Sequence, residues 1–241
     1  MFGSLPSDRL LQIWEQATSA PPAQKATVLL AAFANQPSAV NQLSVGERDR
    51  QLMHVRQRLL GNEIEGLATC PSCSAKVEIS FLIANIAQRT ECQSPQPLEH
   101  EGYEVHWRLP TCEDLAQLSL HGSPETVRRE LLERTIQKIT HQNIPIELHV
   151  CPPQILQRVG DAMSLSDPLA DVRLEVSCPS CQHLWQVTFD IGTYFWSELD
   201  SWAKRILRDV HRLATNYGWS ETDVLRMSTT RRDWYLNLVG A

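Results

Sequence analysis

Glycine is scarce in this chain, at ten of 241 residues. Loops that cradle phosphate need clustered glycines, and neither G-x-G-x-x-G nor G-x-x-x-x-G-K-[ST] occurs. The nucleophile elbow G-x-S-x-G and the zinc-protease signature H-E-x-x-H are missing too. No nucleophile–base pair stands out elsewhere, so no enzymatic activity is expected. Basic excess is absent: 22 Lys and Arg stand against 28 Asp and Glu, a net charge of −6. That balance opposes nucleic-acid binding, which needs a positive face. Long apolar runs are lacking as well. The longest, Val28 to Ala34, falls far below the ~20 residues that span a bilayer. The start Met1-Phe2-Gly3 carries no basic segment or apolar core of a secretory signal, so a cytoplasmic protein is expected. A hydrophobic content of 42% is ample for a globular core.

What is present is a repeated tetrapeptide. Cys70-Pro71-Ser72-Cys73 and Cys178-Pro179-Ser180-Cys181 are identical. The two-residue gap lets a tight turn aim both sulfurs of a pair at one point, and two such pairs supply the four thiolates that Zn²⁺ favours in a tetrahedron. Each pair is followed by a strand-like run, Lys76 to Ser80 and Leu184 to Phe189. This is the plan of a zinc ribbon, except that about a hundred residues part the knuckles, where about 15–20 are usual. The expectation is a ribbon split by an insertion, holding one structural zinc on Cys70, Cys73, Cys178 and Cys181. Four protein thiolates leave no open position for substrate. A redox dithiol would open a helix after a βαβ strand, and neither pair does. Two unrelated disulfides would suit a secreted protein, but the cysteines number seven and no export signal is visible. Cys92, Cys112 and Cys151 read as small buried hydrophobes. His183 lies near the second knuckle, but four cysteines leave it no ligand role. His106, His141 and His149 show no mutual ligand spacing.

The fold class expected is α+β, mostly α-helical. Residues 1–66 form a helical region, in which Ser7 caps a first helix, Pro21-Pro22 open a second, and Ser44 with Glu47 caps a third through Leu60. Gly61-Asn62 is expected to stop that third helix in the left-handed conformation. Residues 67–82 and 171–191 make the split ribbon, around a mostly helical insertion at 83–170. In the insertion, Thr90 to Gly102 reads as loop, Tyr103 to Leu109 as strand, and Thr111 as a helix cap. A helix from Ser123 carries Val127, Leu131, Leu132, Ile136 and Ile139, and Cys151-Pro152-Pro153 opens another. Residues 192–241 are helical again, with Phe195, Trp196, Leu199, Trp202, Ile206 and Leu213 at spacings of three and four. Gly218 ends that helix, and Ser220 and Ser228 cap two more. Seven tryptophans are many for this length. Trp185 and Trp202 are expected in the core. At the chain end, Trp219, Arg231, Arg232, Trp234 and Tyr235 concentrate the residue types that anchor protein interfaces. The competing reading is that Trp234 and Leu238, four apart, pack the last helix on its own domain.

The C-terminal strings Phe195-Trp196-Ser197-Glu198, Asp209 to Ala214, Tyr217 to Glu221 and Arg231 to Leu236 resemble baseplate proteins of contractile-tailed bacteriophages and their homologues in bacterial contractile injection systems. Gly46-Glu47-Arg48-Asp49, the first Cys-Pro-x-Cys, Asp167-Pro168 and the second Cys-Pro-x-Cys with Trp185 and Phe189 are similar in the same order. The likeness covers roughly residues 40–80 and 165–240. It implies a non-enzymatic baseplate or hub component, or a baseplate assembly chaperone, incorporated in or acting on a contractile particle. The implied partners are other baseplate, hub or spike proteins, with no nucleic acid and no small-molecule substrate. The alternative is a zinc-ribbon nucleic-acid or transcription accessory protein, which the charge opposes. A hydrolase with its site in the middle segment is a third reading.

Overall fold

The computed structural model describes residues 5–87, 94–118 and 123–239. Helices α1 (Ser7–Thr18), α2 (Lys25–Ala31) and α3 (Val45–Leu60) come first. Two hairpin strands, β1 (Glu63–Thr69) and β2 (Lys76–Leu82), lead into the short α4 (Ile83–Ala87). A middle segment follows: β3 (Leu98–His100), β4 (Tyr103–Trp107), α5 (Cys112–Ala116), α6 (Pro124–Thr135), β5 (Ile136–His141), β6 (Ile144–Pro145) and α7 (Pro153–Ser166). Strands β7 (Val172–Ser177) and β8 (Leu184–Phe189) form a second hairpin. Helices α8 (Ile191–Tyr217), α9 (Glu221–Leu225) and α10 (Thr229–Val239) complete the chain. Among the described residues, no helix is long and apolar enough to cross a membrane.

The helical body is built from α1, α2, α3 and α8. Their three-and-four spacing brings Leu10, Ile13, Leu29, Leu52, Met53, Phe195, Leu199 and Ile206 into one core. Burying each such side chain contributes about 1.5–3 kcal/mol. Arg56 of α3 is locked into the seam with α8. Its Nη2 and Nε donate to the two carboxylate oxygens of Glu198 at 2.7 and 3.1 Å, and its Nη1 donates to the Gly61 carbonyl at 2.7 Å. Gly61 has φ +91° and ψ −175°, a region other residues scarcely enter, so the stop after α3 is a sharp reversal into β1 instead of a left-handed cap. Gly218 does take the left-handed conformation, with its N–H bonded to Ala214.

Caps follow the local chemistry with one correction. Ser44, Thr111, Ser123 and Ser220 each accept a backbone N–H three residues on. Ser7, expected as a cap, is the first helical residue of α1. Pro6 holds the cap position and supplies no side-chain bond.

The middle segment is less helical than expected. Leu98–His100, read as loop, pairs with β4, and β3-β4-β5-β6 make a four-stranded antiparallel sheet. Ile136 and Ile139, which continue the helical spacing of α6, instead lie in β5 opposite Trp107 and Val105. Thr135, Ile136, Ile139 and Thr140 are β-branched, a type that packs well on a pleated face. Val105, Trp107, Leu132, Ile139, Cys151, Ile155 and Val159 then close a second core against α7.

Candidate metal centre

The two tetrapeptides sit at the tips of the two hairpins. Strands β1 and β2 pair from Glu63↔Leu82 to Thr69↔Lys76, and β7 and β8 from Val172↔Phe189 to Ser177↔Leu184. The knuckles share one backbone pattern. Cys70 N–H donates to Ala75 O and Ser74 N–H to Cys70 O. Likewise Cys178 N–H donates to His183 O and Gln182 N–H to Cys178 O. Ser74 and Gln182 both stand at φ +60°. Proline at the second position presets φ for the turn, and the left-handed residue closes it. This second signature residue is not a glycine or asparagine in either copy, so nothing in residue type marked it.

Alternation along the strands aims one face of each hairpin at the other. Val77, Val176, Cys70 and Cys178 are buried between them, with Ile79, Trp185 and Val187 packed alongside. Phe81 meets Phe189 edge to face at 5.0 Å between centroids. This apolar layer brings together sulfurs 105 and 111 residues apart: Cys73 and Cys178 Sγ lie 3.6 Å from each other, and Cys70 and Cys181 Sγ 3.7 Å. All four Sγ atoms fall within 4.8 Å of one another, an arrangement able to hold a metal ion. These separations far exceed a disulfide bond of about 2.05 Å, and the thiols are free. Four sulfurs about 2.3 Å from a central ion would stand about 3.8 Å apart in a tetrahedron, close to the two distances seen. The donor set therefore fits a tetrahedral thiophilic ion.

The thiols also perturb one another. Burial raises Cys178, but the amides of Cys181 and Ser180 and the thiols of Cys73 and Cys181 bond its sulfur and bring it down to about 6. Cys73, although the Ala75 amide favours its thiolate, is pushed up to about 12 by the Cys181 and Cys178 sulfurs around it. The two thiols are thus driven in opposite directions, and a divalent cation would favour the thiolate at both. His183 stacks on Trp185 at 6.2 Å and is not among the ligand atoms of the cluster. Cys112 and Cys151 are buried, and burial pushes both thiols up. Cys92 lies outside the described residues.

A polar seam joins the other motifs. Gly46 N–H, at the start of α3, donates to Asp167 Oδ2 at 2.9 Å, so Gly46-Glu47-Arg48-Asp49 and Asp167-Pro168 meet across 121 residues. A Cβ on Gly46 would stand 1.9 Å from Asp167 Oδ1. Arg48 Nε donates to Asp49 at 2.7 Å, both side chains being buried. Burial pushes Asp49 up to about 6 in spite of Arg48, with Asp190 and Asp167 adding to the rise. Arg48 is held charged: burial alone would lower it, but Asp49 outweighs that. With two further carboxylates near the pair, Asp49 takes up a proton at higher pH than an ordinary aspartate would, while Arg48 keeps its charge.

The C-terminal candidates divide into three positions. Trp219 and Tyr235 meet edge to face at 4.7 Å, and Tyr217 stacks on Trp219 at 4.5 Å, tying α10 to the end of α8. Trp234 and Leu238 point to solvent, 68% and 57% exposed, so they do not pack α10 on its own body. Arg231 is exposed, its Cζ 5.9 Å from the Tyr235 ring. Arg232 is turned inward, 5% exposed, with its Nε 3.6 Å from Asp209. Trp202 is buried, and Trp185 is half-buried beside the cysteine cluster.

The family described as T4 bacteriophage base plate protein matches residues 8–196. The matched stretch takes in the helical body, both hairpins and the middle segment that the sequence resemblance left out, and it ends within α8. The aromatic cluster of Tyr217, Trp219 and Tyr235 lies beyond it. No curated protein and no solved structure matches the chain.

Proposed function

The chain belongs to the T4 bacteriophage base plate protein family, and from that membership we propose a non-enzymatic role as baseplate or hub component, or assembly chaperone, of a contractile tail-like particle. A structural zinc on Cys70, Cys73, Cys178 and Cys181 clasps its two hairpins. The observation that carries this reading is the family match together with four thiolates that leave a bound ion no open position. A rigid clasp suits a part that must keep its shape while neighbours load on it. The protein is made in the cytoplasm and enters, or acts on, the assembling particle.

The partner surface is the outer stripe of α10. Arg231, Trp234 and Leu238 follow i, i+3, i+7 spacing, which places them on one helical face. Trp219 and Tyr235 brace it from beneath, and Arg232 fixes the inner side. The partner is another baseplate, hub or spike subunit. Replacing Arg231 and Trp234 together by alanine tests the surface, because neither side chain supports the core. Metal content and thermal midpoint should stay near wild type while particle assembly, scored by electron microscopy, fails. Normal particles carrying the double variant would refute it. Mass spectrometry of purified particles separates a resident component from a departing chaperone. Salt-dependent retention on DNA would favour a nucleic-acid accessory role instead.

A further inference from the structure

Between the start of α1 and the α9–α10 turn lies a cleft of about 930 Å³, within the range of ligand pockets, about 300–1,000 Å³. Its floor is apolar, with Leu10, Trp202 and Met227 all buried. Its rim carries exposed Asp8, Glu221 and Arg226. Arg232 lines it at 5% exposure. The Nε of that arginine makes no hydrogen bond among the described residues. Its nearest carboxylate, Asp209, is 3.6 Å away, beyond a normal charge-assisted bond of about 2.7–2.9 Å. Burial moreover pushes the Asp209 carboxyl up, against the pull of Arg232. A buried N–H left without a hydrogen bond is costly, and an arginine fork is shaped to take a carboxylate on two N–H groups. The N-terminus of the 12-residue α1 opens on the same cleft with no side-chain cap, since Pro6 occupies the cap position. Its first-turn amides therefore add positive potential where Arg232 already points.

We propose that this cleft receives an acidic segment of a neighbouring subunit, with an Asp or Glu carboxylate seated on Arg232 and an adjacent apolar side chain on the Leu10–Trp202–Met227 floor. That the carrier is a neighbouring subunit rests on the assembly role proposed above; recognition of a carboxylate does not. The apolar floor selects a peptide over a small inorganic anion, and the exposed acids of the rim limit the fit to one carboxylate.

The test uses the full chain and three probes: N-acetyl-leucyl-aspartate amide, its asparagine counterpart, and inorganic phosphate. Binding is followed through the Nε–H resonance of Arg232, assigned by its disappearance in Arg232→Lys. The aspartate peptide should shift that resonance saturably, and the asparagine peptide should bind about tenfold or more weakly, the share of a charge-assisted bond. Phosphate should bind more weakly than the aspartate peptide. Arg232→Lys should keep its metal and melt near wild type yet lose about tenfold in peptide affinity; if that variant does not fold, the comparison of the two peptides on wild type decides. Equal affinity of both peptides, no shift at all, or phosphate binding more tightly than either peptide would each overturn the proposal. Particle composition and metal content play no part in this titration, so its failure leaves the assembly role standing or falling separately.

Discussion

Replacing Cys178 by serine probes the clasp most directly. With the ion bound, the chain between Cys73 and Cys178 is a closed loop of 105 residues. Cross-linking the ends of a ~100-residue loop removes denatured-state entropy equivalent to about 4–5 kcal/mol at 25 °C. That is the ceiling for the clasp, because the hairpins also share Val77, Val176, Trp185 and the Phe81–Phe189 contact. For a chain of this size each kcal/mol moves the midpoint by about 2–4 °C, so Cys178→Ser should melt roughly 10 °C lower. Elemental analysis should find about one zinc per wild-type chain and little in the variant, since three thiolates make a poor structural site. A chelator supplies the control: it should lower the wild-type midpoint toward that of the variant and leave the variant unchanged. A wild-type protein purified under reducing conditions with metal content near zero would refute the reasoning. So would a variant that loses its zinc without melting earlier.

Other outcomes follow from the polar seam. Gly46→Ala drives a methyl into Asp167 Oδ1 and disturbs the buried bond beneath it, so chemical denaturation should show a loss of about 2–4 kcal/mol. The raised Asp49 sets a pH dependence with a definite sign. Its unfolded carboxyl ionises near 3.8 and its folded one near 6, so the native state binds more protons in that window and stability falls as pH rises from about 4 to 6. Asp49→Asn should remove that slope, a difference of order 2–3 kcal/mol between variant and wild type across the window, read from denaturation at each pH. Asp114 acts oppositely, since the bond from Arg108 holds it down at about 2. Its contribution is present above pH 4 and lost on acidification toward pH 2, and Asp114→Asn should flatten that limb.

Much of the architecture was legible because it depends on neighbours in sequence. The 3.6-residue spacing of Leu10, Ile13, Leu52, Phe195 and Leu199 marks the faces that meet in the core. The hydroxyls of Ser44, Thr111, Ser123 and Ser220 find the helix starts because a cap bonds its own first turn. The repeated Cys-Pro-Ser-Cys picks out the four cysteines that cluster for the same reason: two residues of spacing suffice to aim two sulfurs. What lies between distant segments was beyond that reach. Ile136 and Ile139 suit a helix by spacing, yet pairing with Trp107 and Val105 makes them strand, since the ladder and the second core outweigh a weak local preference. Gly46 and Asp167 stand in two separate strings of the sequence, and only the fold brings the Gly46 N–H to the Asp167 carboxylate across 121 residues. Arg231 and Arg232 are neighbours of one type, and only the docking of α10 on α8 turns the second inward, toward Asp209 and the cleft, while the first stays in water. Sequence by itself determined the cysteine pairs and the helix faces, because sulfur spacing, caps and period act within a turn or two. Tertiary structure alone decided which pairs of thiols meet, which strands form and which charges are buried, because those depend on surfaces that come together only when the chain closes.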